Sequence, residues 1–171
     1  MTPMIVLVGC TSGSRARVED QSLTADSGRR SGTQTLITIE RRPCYGVCPT
    51  YSTSIAGDGT VVFVGRANVD SARRITSRVD PDSVAALVRL FESEGFLALP
   101  DGFVHGRPGC EPYYFDAPVV IVTLANGRQT KNVEHDHGCS GAPASLTMLE
   151  NRVDEIAKSW RWITGRPPAK L

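Results

Sequence analysis

The sequence predicts an α+β fold in two layers: a mainly antiparallel β-sheet with two amphipathic helices on it, in the order β-β-β-β-α-β-β-α. Three observations carry this expectation. Short runs of alternating apolar residues are separated by Gly-Asp-Gly and Asn-Gly turn signals, the mark of antiparallel hairpins. Two longer segments instead space their apolar residues by three and four, the period of a helix buried on one side. Hairpins with helices after them leave a sheet face for those two stripes to cover.

In chain order, TLITIERR places Ile37 and Ile39 on one face and Thr38 and Glu40 on the other, as a half-buried strand requires. YSTSI follows with Tyr51, Thr53 and Ile55 on one face; Gly57-Asp58-Gly59 then turns the chain into TVVFVG, which reads as its hairpin partner. A weaker fourth strand spans about Ala72 to Val79. In DPDSVAALVRLFESEGF, Asp80 is placed to cap a helix and Pro81 to fill its first position. Val84, Leu87, Val88 and Phe91 form the stripe, and Gly95 ends it. Residues 98–117 are rich in proline and glycine and read as loop. VVIVTL is apolar on both faces, like a central strand, and Asn126-Gly127 favours a type I′ turn into the next strand. Pro143 opens a second helix, whose stripe of Leu146, Leu149, Val153, Ile156, Trp160 and Ile163 runs on to Gly165.

The chain has 171 residues, 40% hydrophobic and 22% charged, with 19 basic against 18 acidic side chains. That is the composition of one soluble globular domain with some sequence to spare. A nucleic-acid binder would carry a basic excess, so no nucleic-acid partner is expected, and no cofactor motif is found.

The N-terminus, MTPMIVLVGCTSGS, holds a short apolar run ending in Leu7-Val8-Gly9-Cys10. This tetrapeptide resembles a bacterial lipobox, in which Cys10 would become the lipidated first residue of the mature chain. Signal peptides usually run to about 15–30 residues with a basic start, and neither feature is present. A start codon placed too far downstream accounts for both. Residues 11–34 are rich in Ser, Thr, Gly and Arg and cannot bury enough surface to fold. The expected organisation is a truncated signal-like segment over 1–9, a lipidated Cys10 with a flexible tether over 10–34, one α+β domain over 35–165 and a tail over 166–171. The expected location is the bacterial cell envelope, lipid-anchored and facing the periplasm.

Four cysteines remain, Cys44, Cys48, Cys110 and Cys139. An even number in an exported chain predicts disulfides, and three pairings are open. Cys44–Cys48 with Cys110–Cys139 is preferred, because Cys110 and Cys139 occupy the loops before and after the central hairpin. Zinc is the rival reading: Cys-x-x-x-Cys is within ligand spacing, and VEHDHGCSG brings His135, His137 and Cys139 together. Strand alternation would put both histidines on one face.

For acid–base chemistry the candidates are His105, His135, His137, Glu111, Asp116 and Asp136, with Ser140 as a conceivable nucleophile near His137. No nucleophile elbow or phosphate-cradling glycine loop accompanies them, so the enzyme reading stays secondary. The loop FVHGRPGCEPYYFDAP gathers Tyr113, Tyr114 and Phe115, and exposed aromatics there would form a recognition surface for an envelope protein.

PCYGVCPTYSTSIAGDGTVVFVG resembles the opening of an uncharacterised bacterial domain family of predicted lipoproteins with a Cys-Tyr-Gly-x-Cys-Pro signature. Here the matching residues are Cys44, Tyr45, Gly46, Cys48, Pro49, Tyr51 and Gly57-Asp58-Gly59. The likeness extends over roughly residues 36–158 and implies a fold and an envelope location, with no catalytic residues to carry over. Cys110 and Cys139 look like additions to the shared pattern.

Overall fold

The computed structural model describes residues 35–164; Cys10 and the segments 1–9, 10–34 and 166–171 lie outside them. Seven strands form one sheet in the order β4-β3-β2-β1-β6-β7-β5. The strands are β1 (Leu36–Arg41), β2 (Thr50–Ala56), β3 (Thr60–Ala67), β4 (Arg74–Arg78), β5 (Gly102–Phe103), β6 (Val119–Asn126) and β7 (Gln129–Asp136). Every neighbouring pair is antiparallel except β5 with β7. The helices are α1 (Pro81–Ser93), α2 (Ala144–Ala157) and the four-residue α3 (Trp160–Ile163).

Period-2 alternation decides which face is covered. Ile37, Ile39, Ile55, Val61, Phe63, Val120, Val122, Leu124 and Val133 are fully buried on one face. Val84, Leu87 and Phe91 of α1 and Leu146, Leu149 and Val153 of α2 join them in one core. Intervening residues such as Thr38, Ser54, Val62 and Ile121 are half-buried on the other face. The two-layer α+β architecture is therefore the expected one, but VVIVTL is covered on one face only. At the β4 edge, short length and Arg74 and Arg78 at its ends discourage pairing with another sheet.

The local signals act as physics requires. Asp80 caps α1, its side chain accepting from the Asp82 N–H at 2.9 Å, and Pro81 takes the first turn. Gly95 follows α1 with φ 68°, the left-handed conformation that ends helices. No neighbour lies within 4 Å of where its Cβ would be. Gly95→Ala should therefore cost about 1 kcal/mol from backbone strain alone, readable as a small fall in denaturation midpoint with an unchanged slope.

Three elements depart from the sequence expectation. The glycine- and proline-rich stretch contains β5, where Gly102 and Phe103 pair in parallel with Glu134 and His135. The second hairpin turns on Gly127-Arg128, between the Asn126↔Gln129 pair, with Gly127 at φ 63°. This is the glycine-first arrangement of a type II′ turn and not Asn-Gly at the centre. The last helix is two helices. Lys158 takes φ 57° and Ser159 N–H bonds back to the Asp154 carbonyl at 3.0 Å. The break lets buried Ser159 meet Thr53, oxygen to oxygen at 3.2 Å, and sets Trp162, not Trp160, against Phe63 with centroids 5.0 Å apart.

Register also gives the sheet two unlike ends. Tight turns at 57–59 and 127–128 close one end, where Thr35 also sits, its carbonyl accepting from Gly57 N–H at 2.8 Å. The connections 42–49, 68–73, 104–118 and 137–143 all lie at the other end. Both cysteine pairs are there.

Candidate functional site

The loop end is held by covalent and hydrogen-bonded braces. Cys44–Cys48 closes a small ring on the β1–β2 connection, and Cys110–Cys139 joins loop 104–118 to the β7–α2 connection. This is the pairing preferred from sequence. It removes Cys139 from any ligand set, so the zinc grouping of His135, His137 and Cys139 does not form.

Around the second disulfide the two loops run as a short ladder. Tyr113 bridges to Cys139, Tyr114 N–H donates to the Gly138 carbonyl at 2.8 Å, and Ser140 N–H donates to the Pro112 carbonyl at 3.1 Å. Gly138 is required: a Cβ there would run into the Tyr114 carbonyl and the Tyr113 ring. The Tyr113 hydroxyl donates to Asp136 Oδ2 at 3.0 Å, while Asp136 Oδ1 accepts from Gly138 N–H at 2.9 Å.

The three loop aromatics consequently differ. Tyr113 is half-buried against the core and stacks on His105 with centroids 4.2 Å apart. Phe115 meets both rings edge-on, yet it is 74% exposed and Tyr114 is 64% exposed. Tyr45 and Val47, within the Cys44–Cys48 ring, are also exposed at this end of the sheet. The expected recognition aromatics thus reduce to Tyr114 and Phe115, with Tyr113 acting as their support.

A polar cluster lies beside this loop, under α2. His135 is on the covered face of β7 and His137 is one residue past its end, and their rings stack with centroids 4.2 Å apart. Glu150 descends from α2 between them. Its Oε1 lies 2.7 Å from His135 Nδ1 and its Oε2 lies 2.8 Å from His137 Nε2. Glu150 is fully buried, His135 nearly so, and the His137 side chain is 25% exposed. Burial by itself would raise the Glu150 pKa, but the hydrogen bonds and charge of the two histidines outweigh it and hold the carboxyl below its ordinary value.

Sequence reasoning found both histidines and missed Glu150. The signal was available: Glu150 stands four residues after Leu146 and three before Val153, inside the buried stripe of α2. A carboxylate at a core position demands partners. The other candidates do not converge on this cluster. His105, Glu111 and Asp116 are exposed, Asp136 is occupied by Tyr113 and Gly138, and the Ser140 hydroxyl donates to the Pro112 carbonyl and not to His137. A depression lined by Thr147, Met148, Asn151, Arg152 and Glu155 on the outer side of α2 includes none of them. Further along α2, Asp154 accepts from Tyr51 and Arg41, each at 2.8 Å, and fastens the helix to β1 and β2.

The sheet, α1, α2 and both disulfides fall within residues 35–157, and that span matches the family described as Domain of unknown function (DUF6438). The chain belongs to this family. The matched DUF6438 region stops at the last residue of α2, so α3 and the Phe63–Trp162 contact lie beyond it. No curated protein matches the chain.

Proposed function

We propose that this DUF6438 chain is an exported, lipid-tethered binding module that presents its braced loop end to a protein partner in the cell envelope. The observation that carries the reading is the pair Tyr114 and Phe115. These large aromatic side chains are held in solvent on a loop fixed by a disulfide, a two-sided backbone ladder and the Tyr113–Asp136 bond. Aromatics dominate binding hot spots, and a loop already ordered before contact loses little entropy on binding. The lipobox-like Leu7-Val8-Gly9-Cys10 supports the tether, as does the use of four cysteines in two disulfides, which oxidising compartments favour.

The test places a photo-crosslinking residue at Phe115, at Tyr45 or at Arg128 on the opposite end, in the native host. The expected result is one discrete adduct from the first two sites and none from Arg128. Adding Tyr114→Ala and Phe115→Ala together should weaken that partner's binding by about 30-fold or more, corresponding to roughly 2 kcal/mol. Cys10→Ser should move the protein out of the membrane fraction while leaving its melting curve unchanged. Equal labelling from Arg128 would refute the binding surface, and continued membrane retention of Cys10→Ser would refute the tether.

A further inference from the structure

We propose that His135, His137 and Glu150 form a binding site for one divalent transition-metal cation of the zinc class. Among the described residues, their three donor atoms lie within 4.8 Å of one another. Two imidazoles and a carboxylate are a donor set that zinc accepts, leaving a fourth position for water or another ligand. In a tetrahedral zinc site with bonds of about 2.0–2.2 Å, neighbouring donor atoms stand roughly 3.3–3.6 Å apart. The observed separations, 2.7 Å from His135 Nδ1 to Oε1 and 2.8 Å from His137 Nε2 to Oε2, would each open by roughly 0.5–0.9 Å, with the carboxylate spanning the two imidazoles. The partly exposed His137 side chain supplies that freedom.

With Glu150 ionised, a carboxylate can only accept, so the two contacts are donated by His135 Nδ1 and His137 Nε2. Metal binding requires both nitrogens bare, so neutral His135 shifts its proton to Nε2 and neutral His137 shifts its own to Nδ1. No net proton is released from neutral imidazoles, and an imidazolium would release one.

Competing donors nearby are already engaged. Cys139 is oxidised to Cys110, and both Asp136 oxygens accept hydrogen bonds. That leaves the two nitrogens and the Glu150 carboxylate as the available set. The ligands are also positioned in advance, on the end of β7 and the middle of α2, with the connection between them fixed by Cys110–Cys139. Pre-positioning of this kind is what separates a metal site from a passing polar contact.

The experiment titrates Zn²⁺ into the full chain after chelator treatment, by calorimetry and by ¹⁵N-histidine NMR. The protein has three histidines, and His105, which stacks on Tyr113 and is not one of the three grouped donors, is an internal control. The expected result is one Zn²⁺ per chain with the His135 and His137 ring signals moving together while His105 stays put. His137→Ala and Glu150→Gln should each weaken binding by more than the roughly 10–100-fold that loss of a mere supporting partner costs. Should Glu150→Gln fail to fold, the wild-type ring shifts and His137→Ala still decide. Absence of stoichiometric uptake, a shift of His105 alone, or wild-type affinity in His137→Ala would each overturn the proposal. In those cases the cluster is a hydrogen-bonded triad only.

Discussion

Replacing Cys110 and Cys139 together with alanine should lower the melting temperature by roughly 10–20 °C, whereas the same change at Cys44 and Cys48 should cost about half as much. In the chain-entropy treatment, a bond closing about 30 residues stabilises by about 3.5 kcal/mol and one closing five residues by about 2 kcal/mol. For a domain of this size each kcal/mol moves the melting temperature by about 3–6 °C. The observed separations, 29 for Cys110–Cys139 and 4 for Cys44–Cys48, set that order. Burial acts in the same direction, since Cys110 and Cys139 belong to the core while the Cys44–Cys48 ring sits at the surface. The double substitution avoids leaving a lone buried thiol. Differential scanning calorimetry of the two variants is the check, and equal losses would contradict it.

Glu150→Gln should destabilise the chelator-treated protein by about 2–4 kcal/mol near neutral pH, the scale expected when a buried, doubly hydrogen-bonded charge is removed. Its pH dependence has a definite sign. In the folded chain His135 and His137 hold the Glu150 carboxyl below its ordinary value against the opposing effect of burial. A carboxyl with a depressed folded pKa contributes stability that is complete above the unfolded value of about 4.3 and is lost as pH falls toward the folded value. The wild type should therefore lose its advantage over Glu150→Gln progressively below about pH 4.5. Urea melts of both proteins at pH 5.5 and pH 3.5 measure this directly. A gap that stays constant between them would mean that Glu150 is not ionised in the folded state.

Much of the fold was legible because its signals are local. Asp80, Pro81 and Gly95 bound α1 without help from the rest of the chain, and Ile37, Ile39, Ile55 and Phe63 declare the covered face by alternation alone. What escaped depends on distant partners. Two residues, Gly102 and Phe103, have no strand pattern of their own and become β5 because β7 offers an edge. Lys158 is no helix terminator by type, and the helix stops there where Ser159 reaches Thr53 on β2. The cluster under α2 divides the same way. His135 and His137 were conspicuous as neighbours in sequence, but the third member was visible only as a charge inside an apolar stripe. Cys139 drew attention for its proximity to them and proved committed to Cys110.

The two unlike ends of the sheet determine how this domain is best handled. The first described residue, Thr35, joins beside the tight turns, while α3 ends against the 68–73 segment, where Asp70 and Ser71 N–H groups donate to the Ile163 and Trp162 carbonyls at 3.2 and 3.0 Å. A purification handle or biosensor linkage attached upstream of Thr35 keeps Tyr114, Phe115 and His137 clear of the support. The same attachment placed downstream of Thr164 emerges among the long connections and crowds the pole that carries them.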